Sequence, residues 1–249
     1  MSGSELTGKV ALVTGGAGGI GSAICLALAE AGASVLVGYA GSEARAIALA
    51  QDLPGSVHRA VRCPVDDSAA LEAAAQSVRA TEGRLDILVN NAGITTPIPH
   101  ADLDALSDEW FDTILRVNVR GAFACVRAFS PLLHEHAGGL VVNISSIAGR
   151  TGQGSNVAYC ASKAALDSLT RSLGRSLAPD IRVLSVSPGF VDGDYARRMP
   201  EMLAAQSART PLGRAAKPQE VARAVLACAT MLTFSTGSII EVDGGRPLG

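Results

Sequence analysis

The sequence has 249 residues, of which 48% are hydrophobic, and its formal net charge is −2 at pH 7. This length favours one domain over residues 1–249 rather than two small ones, and the scattered Lys and Arg residues argue against a nucleic-acid partner. Because there is neither a secretory leader pattern nor an apolar run of roughly 18 residues, we expect a soluble, cytoplasmic protein with no membrane partner.

Short runs rich in Val, Leu and Ile alternate with longer Ala-rich segments that have helical spacing. This alternation predicts repeated strand–helix units around a parallel sheet. We expect strands near 10–14, 34–38, 57–63, 87–89, 139–144, 182–186 and 238–241, and helices near 19–31, 43–52, 67–82, 103–133, 156–178 and 218–231. Residues 188–217 have neither the strand-like apolar runs nor the helical spacing. A connection of this length predicts a substrate lid at about 190–212 or, alternatively, a loop that only joins two elements.

The cysteines predict a structural role. They are odd in number, widely spaced and free of CxxC pairs or nearby His at metal-ligand spacing. We therefore expect reduced, buried thiols and no metal site. The five are Cys25, Cys63, Cys125, Cys160 and Cys228.

A glycine turn follows the first predicted strand and precedes the first helix. The turn matches the G-x-G-x-x-G pattern through Gly16, Gly18 and Gly21, and a G-x-x-x-G-x-G pattern through Gly15, Gly19 and Gly21. A strand, a glycine turn and a helix in this order direct free helix N–H groups at a pyrophosphate. The sequence therefore predicts a dinucleotide site here, with either set of glycines at its centre.

The end of the second predicted strand bears on the choice of cofactor. An acidic residue that binds the ribose 2′-hydroxyl of NAD is typical at this point, and here the segment from Tyr39 to Ser42 contains none. Ser42 could donate a hydrogen bond to a 2′-phosphate, and Arg45 is the nearest cation. We therefore expect NADP(H) to be favoured over NAD(H); the alternative for Tyr39 and Ser42 is ordinary solvent-facing loop residues.

A second constellation lies on a helix and on the strand before it. Tyr159 and Lys163 are four residues apart in a helical stretch, so their side chains share one face. Ser146 lies just past a buried strand, at the end where open α/β sheets build their sites. A nearby ammonium lowers the pKa of a tyrosine, which suits proton transfer at neutral pH. Each residue alone has an ordinary structural explanation; together they predict catalysis.

These motifs, in this order, resemble those of the short-chain dehydrogenase/reductase family, with 3-oxoacyl-thioester reductases and related ketoreductases the most similar members. The resemblance implies a Rossmann-type, doubly wound, seven-stranded parallel sheet with helices on both faces. It rests on the glycine turn, the Asn-Asn-Ala-Gly run at 90–93, Asn118, the set Ser146, Tyr159 and Lys163, the Pro-Gly pair at 188–189, and the Val-Asp-Gly-Gly run at 242–245.

The resemblance also implies roles for four catalytic residues. Tyr159 would act as general acid in reduction and general base in oxidation. Lys163 would hold the nicotinamide ribose and depress the tyrosine pKa. Ser146 would donate a hydrogen bond to the substrate oxygen, and Asn118 would hold a water that relays protons through Lys163.

For the cofactor, the resemblance implies that Asn90 and Gly93 pack against the adenosine ribose side and that Val191 offers backbone groups to the nicotinamide carboxamide. The full set expected to contact the cofactor is Gly15, Gly18, Gly19, Ile20, Gly21, Tyr39, Ser42, Val65, Asn90, Asn91, Ala92, Gly93, Tyr159, Lys163, Pro188, Gly189 and Val191.

Two positions depart from the family pattern. Pro64 stands where the family usually has an adenine-binding Asp, so that bond is lost unless Asp66 or Asp67 replaces it. Gly193 stands where the family often has a threonine that bonds the cofactor, which leaves lid closure to backbone contacts.

We expect the substrate to be a small carbonyl or alcohol compound, which could be carrier-bound. Arg150, Arg197 and Arg198 could meet an anionic group on it, or could be simply solvated. The alternatives for function are an NAD-dependent alcohol or sugar dehydrogenase and a non-catalytic dinucleotide sensor. Because the helices at 103–133 and 156–178 carry Ala and Leu on more than one face, we also expect a homo-oligomer, a tetramer or a dimer.

Overall fold

The computed structural model describes residues 5–55, 57–136, 138–193 and 200–248. Seven strands form one parallel sheet in the order β3-β2-β1-β4-β5-β6-β7, which confirms the predicted Rossmann-type fold. The strands are β1 (Val10–Val13), β2 (Ser34–Tyr39), β3 (Arg59–Arg62), β4 (Ile87–Asn90), β5 (Gly139–Ile144), β6 (Ile181–Pro188) and β7 (Ile239–Val242).

The helices follow most of the predicted segments to within two residues. Several begin at a side chain that accepts a bond from a free backbone N–H, as Asp67, Ser107 and Asn156 do. The helices are α1 (Gly19–Glu30), α2 (Glu43–Asp52), α3 (Ser68–Thr81), α4 (Asp108–Leu115), α5 (Ala122–His134), α6 (Ala148–Thr151), α7 (Val157–Ser176), α8 (Pro200–Ala208) and α9 (Pro218–Thr230).

The sheet is covered on both faces because its strands are apolar on both sides. Ala11 and Val13 of β1 face the cluster formed with α1, α2 and α9, and Val10 and Leu12 face the cluster formed with α3 and α5. The five cysteines are free and buried, as expected. Among the described residues, no helix combines the length and apolar character needed to cross a bilayer.

Three predicted elements differ from the structure. The helix expected over 103–133 begins at Asp108 and is interrupted by a π-helical turn at Arg116–Gly121, where the backbone widens around Asn118. The strand expected from 57 begins at Arg59, because the His58 ring accepts the Val35 N–H at 3.0 Å in place of a backbone partner. The segment expected to be irregular over 188–217 contains α8, while its residues 194–199 lie outside the described part of the chain.

The sheet opens a crevice where the strand order reverses. β1 lies beside β4, and the chain leaves these two strands toward opposite faces of the sheet. The glycine turn follows β1, and the 90–93 run ends β4 and continues past it. Both predicted motifs therefore meet at the carboxyl edge of the sheet.

Candidate active site

Helix α7 carries two of the predicted catalytic side chains, and its first turn is fixed to a neighbouring loop. The Asn156 side chain accepts the N–H of Tyr159 at 2.7 Å and donates to the carbonyl of Thr96, also at 2.7 Å. Asn156 is buried, so it both caps the helix and holds it against the 94–98 segment. The sequence reasoning missed this residue, although an Asn directly before a helix is a typical cap.

Lys163 is buried and aimed at the end of β5. Its Nζ donates to the carbonyl of Ile144 at 2.8 Å and lies 5.6 Å from the centre of the Tyr159 ring. Burial lowers the Lys163 pKa to about 8, and the charge of Asp167 acts in the opposite direction. The structure therefore brings the predicted i and i+4 pair together one turn apart on the same face.

The Tyr159 pKa shifts in the opposite direction to the one expected from the sequence. Burial raises this pKa, the Ser146 side chain lowers it, and the neighbouring Cys160 raises it. The Lys163 ammonium group instead donates its hydrogen bond to the Ile144 carbonyl. The phenol is accordingly protonated at neutral pH.

Ser146 lies two residues past β5, at the carboxyl edge of the sheet. It is buried, and its Oγ accepts the N–H of Ala148 at 3.2 Å. Ser145 beside it donates to the carbonyl of Lys163 at 3.3 Å. These contacts fix the strand end against α7, so Ser146 and Tyr159 are held on facing elements.

The π-helical turn directs Asn118 into the site. Its Oδ1 accepts the Ile94 N–H at 2.8 Å, and its Nδ2 donates to the Ile94 carbonyl at 3.0 Å and to Ser162 Oγ at 3.1 Å. A Cβ added at Gly93 would lie 3.3 Å from Asn118 Oδ1 and 3.8 Å from Lys163 Nζ. Gly93 therefore passes between two predicted catalytic side chains, where it lies close to both.

The structure distinguishes the two possible glycine patterns. Gly15 has a φ of +61°, and a Cβ at Gly21 would lie 2.4 Å from the Gly15 carbonyl oxygen. At Gly19, the exposed first residue of α1, an added Cβ meets no described heavy atom within 4 Å. This is the arrangement of the G-x-x-x-G-x-G pattern, with a strained turn, a tight helix contact and an open approach for a ligand. Gly18 is exposed beside Gly19, and Ile20 packs against the core.

Asn91 and Ala92 hold the glycine turn in place. The Asn91 side chain donates to the carbonyls of Thr14 and Gly15, each at 3.0 Å. The Thr14 hydroxyl accepts the N–H groups of Asn91 and Ala92 at 3.1 and 3.0 Å. The two predicted motifs at this edge are therefore one hydrogen-bonded unit.

Asn90 is a correction to the predicted cofactor set. Its Nδ2 donates to Asn143 Oδ1 at 2.9 Å, and Asn143 donates in turn to Thr170 Oγ1 at 2.8 Å. This side chain lies inside the core, where it links β4, β5 and α7, and it does not line the crevice. The reason is strand alternation, because Asn90 ends β4 with its side chain directed toward the helix layer.

The first turn of α2 brings both an acid and a cation next to the end of β2. The Tyr39 hydroxyl donates to the Glu43 carboxylate at 2.7 Å, while Ser42 is exposed immediately before α2. Arg45 lies on α2, and its guanidinium donates to the Ala17 carbonyl of the glycine turn at 2.9 Å. The tertiary structure thus brings Arg45 to the dinucleotide site.

A cavity of about 640 Å³ runs along the glycine turn. It is bordered by Gly18 and Gly19, by Arg45, and by Gly193 and Lys217 from the other side, rather than by Tyr159. At the end of β3, Val65 is buried against Gly121, where an added Cβ would lie 2.8 Å from a Val65 methyl group.

Only one of the two acids near Pro64 has a side chain left to replace the missing adenine ligand. The Asp67 side chain caps α3 by accepting the N–H of Ala70 at 3.1 Å. The backbone carbonyl of Asp66 accepts a bond from Arg120 at 2.6 Å, which fixes the backbone of this turn. Only the exposed Asp66 carboxylate is left for such a contact.

The end of β6 leads into the predicted lid. The Pro188 carbonyl accepts the Ile147 N–H at 3.1 Å, and a Cβ at Gly189 would lie 2.9 Å from Asp243 Cα. Val191 pairs with Ala216 in an isolated parallel bridge and packs against the core. Its carbonyl accepts the Gly193 N–H at 2.9 Å.

The arginines expected to meet an anionic substrate are not assembled as predicted. Arg150 is bound to Glu241 through contacts of 2.6 and 2.7 Å, so its charge is already paired. Arg197 and Arg198 lie outside the described residues. The structure instead places Arg209 and Arg246 together in a second cavity, which the sequence reasoning missed because the two residues lie far apart in the chain.

Comparisons with known proteins agree with this geometry. A family model described as Enoyl-(Acyl carrier protein) reductase matches residues 15–246. The 3-oxoacyl-[acyl-carrier-protein] reductase FabG of Thermotoga maritima is 37% identical over 97% of this chain and 98% of that protein. The cis-4-hydroxycyclohexanecarboxylate dehydrogenase of Sinomonas cyclohexanicum is also 37% identical, over 98% of each chain.

A solved structure shows the same similarity. The crystal structure of a candidate short-chain dehydrogenase/reductase from Burkholderia xenovorans superposes with a TM-score of 0.90 and 37% identity, and it covers 97% of this chain and 98% of that chain.

Proposed function

The chain belongs to the short-chain dehydrogenase/reductase family of oxidoreductases acting on CH–OH and C=O groups, and we propose that it is an NADP(H)-dependent ketoreductase similar to 3-oxoacyl-thioester reductases. The observation that carries this proposal is the convergence of Tyr159, Lys163 and Ser146 at the sheet edge that also carries the glycine turn. When bound, the nicotinamide cofactor supplies or accepts the hydride.

Tyr159 is the proposed proton donor in reduction and proton acceptor in oxidation. Burial raises its pKa, so it carries a proton at neutral pH and is ready to act as an acid. Ser146 is proposed to donate a hydrogen bond to the substrate oxygen as negative charge develops there.

Lys163 and Asn118 are proposed to complete the site. In the cofactor complex, Lys163 would hold the nicotinamide ribose hydroxyls, and its positive charge would then lower the Tyr159 pKa. The Asn118 side chain makes three bonds to Ile94 and Ser162, so it is a positioning group. The proposed proton-relay water would therefore bind a backbone group of the π-helical turn rather than this amide.

Three glycine-turn residues support a cofactor pyrophosphate at the start of α1. Gly18 and Gly19 are exposed there, Gly19 leaves open space, and the first N–H groups of α1, including that of Ile20, have no carbonyl partner within the helix. Asn91, Ala92 and the turn glycines Gly15 and Gly21 would shape the site from behind. Pro188, Gly189 and Val191 would meet the nicotinamide end, and Val65 the adenine end.

NADP(H) is the proposed cofactor because two groups at the end of β2 fit a 2′-phosphate. Ser42 is exposed at the start of α2, and Arg45 already reaches the glycine turn, from which it can turn to an anion. The second candidate is an NAD-dependent alcohol dehydrogenase. It is favoured by Glu43, whose carboxylate lies on Tyr39 near the expected ribose, and by the similarity to a hydroxy-acid dehydrogenase.

Self-association is also proposed. The outward side of α7 carries the small exposed residues Ala161, Ala164 and Ser168, and Phe123 of α5 is 41% exposed. Small side chains allow two helices to approach closely, and an exposed aromatic ring favours burial in an interface. We expect a dimer or tetramer, and light scattering at micromolar concentration tests this.

Two measurements test the proposed activity. Fluorescence titration with NADPH and NADH should give the lower Kd for NADPH, and a preference for NADH would favour the second candidate. Tyr159→Phe should reduce kcat on every accepted carbonyl by at least about 100-fold, the usual contribution of a general acid. Its Kd for NADPH should stay near the wild-type value, and full activity in this variant would refute the mechanism.

A further inference from the structure

A second cavity lies against the loop between α6 and α7, which contributes Gln153 to its lining. Its volume is about 530 Å³, within the range of small-molecule sites. Gln153, Thr210, Pro211 and the two arginines Arg209 and Arg246 are among the residues that line it.

One wall of this cavity belongs to the loop that connects Ser146 with Tyr159. Gln153 lies on this loop next to Gly154, where an added Cβ would be 3.2 Å from Tyr159 Cδ1. The loop therefore contacts the tyrosine ring on one side and the cavity on the other. A ligand that extends away from Tyr159 along this loop reaches Gln153.

The opposite wall is held by contacts between two distant segments. The Leu212 N–H donates to the Gly244 carbonyl at 3.2 Å, and a Cβ at Gly244 would lie 2.6 Å from a Thr210 methyl group. Arg246 donates to the carbonyl of Gln206 in α8 at 3.0 Å. These contacts bring the C-terminal segment against the end of α8 and hold the Arg246 side chain at the cavity.

The two arginines are close enough for the charge of one to act on the other. Burial and the charge of Arg209 both lower the Arg246 pKa. None of the ion pairs in the described part of the chain involves either residue, and the two nearby carboxylates have other hydrogen-bond partners. Glu241 binds Arg150, and Asp243 accepts the Gly245 N–H at 2.8 Å. Two like charges held together at a cavity favour an anionic ligand.

We propose that Arg209 and Arg246 bind an anionic group, a carboxylate or a phosphate, at the end of the carbonyl substrate remote from the reduced carbon. The proposal rests on the proposed ketoreductase function and specifies its substrate class. Arg246 supplies a fixed donor, Arg209 a more exposed one, and Gln153 a neutral donor on the catalytic side.

The kinetic test compares ketones that differ only in charge. We would measure KM for 4-oxocyclohexanecarboxylate, for its methyl ester, and for a cyclohexanone that carries a phosphate monoester. The enzymes compared are wild type, Arg209→Gln and Arg246→Gln. Arg175→Gln, on the exposed end of α7, is the control variant. The ratio of KM for an anionic ketone to KM for the ester should rise about 10- to 100-fold in both cavity variants, as expected for loss of a charge-assisted hydrogen bond. In Arg175→Gln it should stay at the wild-type value.

The KM ratio is compared for the carboxylate ketone and the phosphate ketone. The anionic group whose KM ratio changes more in the cavity variants is the group that the arginines bind. An unchanged ratio in Arg209→Gln overturns the proposal, and because Arg209 is exposed this variant is expected to fold even if Arg246→Gln does not. If wild type reduces none of the ketones, the proposed function fails. Calorimetric titration with inorganic phosphate and with acetate then tests anion binding at the two arginines without any turnover. If wild type and Arg209→Gln release the same binding heat, the proposed anion site is overturned.

Discussion

Two glycines of the same turn give opposite predictions for alanine substitution. A Cβ at Gly21 would lie 2.4 Å from the Gly15 carbonyl oxygen, 2.8 Å from Asn91 Nδ2 and 2.9 Å from Gly16 Cα. Contact at ordinary distance would require the turn to move by roughly 1 Å, and overpacking of this kind costs ~1–3 kcal/mol. For a chain of this length, such a loss lowers Tm by roughly 2–12 °C.

Gly19→Ala is the matched control for stability. Its Cβ meets no described heavy atom within 4 Å, and Gly19 is helical, so the substitution should leave Tm unchanged or raise stability by ~0.4–1 kcal/mol. The added methyl group would stand where the cofactor phosphates are proposed to approach. We therefore expect the Kd for NADPH to rise at least about tenfold, equivalent to ~1.4 kcal/mol.

Thermal unfolding without cofactor and fluorescence titration with NADPH separate the two effects. Gly21→Ala should lose stability, whereas Gly19→Ala should lose cofactor affinity with its stability intact. A wild-type Tm for Gly21→Ala would show that the turn is not packed as described. A wild-type Kd for Gly19→Ala would place the phosphates elsewhere and refute the proposed cofactor position.

Three further predictions, which involve four substituted residues, test the electrostatics of the fold. The Lys163 pKa of about 8, below its usual 10.5, means that the unfolded chain binds more protons between these values, so stability from this group rises with pH there. By urea denaturation, the stability of wild type relative to Lys163→Met should therefore increase by ~2 kcal/mol from pH 8 to 10, and a constant difference would contradict this. The Asp86 pKa lies below its usual 3.8. Burial alone would raise this pKa, but hydrogen bonds to the carboxylate, of which the one from Arg84 has the largest effect, outweigh the burial. Asp86→Asn should cost ~1–3 kcal/mol at pH 7, measured in the same way, and this cost should shrink as pH falls below 4, whereas a cost that grows in acid would reverse the assigned sign. Arg150 and Glu241 are exposed despite their short contacts, so a double-mutant cycle should give a coupling below ~1 kcal/mol, and a value above ~2 kcal/mol would show a buried interaction.

The sequence by itself determined the sheet, the helices and the chemical centre of the site. Apolar runs and helical spacing depend only on local residue order, so they located the elements closely. The same is true of the glycine turn and of Tyr159 and Lys163, because residues four apart on a helix must share a face.

Only the tertiary structure decided which distant groups meet. Asn118 reaches Ile94 because a π-helical turn widens the backbone, and Asn90 turns into the core because strand alternation directs it there. Arg209 and Arg246 meet at one cavity although they lie 37 positions apart in the sequence. Burial, which sets the direction of the Tyr159 pKa, is also a property of the packed chain. These features depend on contacts between separate segments, which residue order alone does not specify.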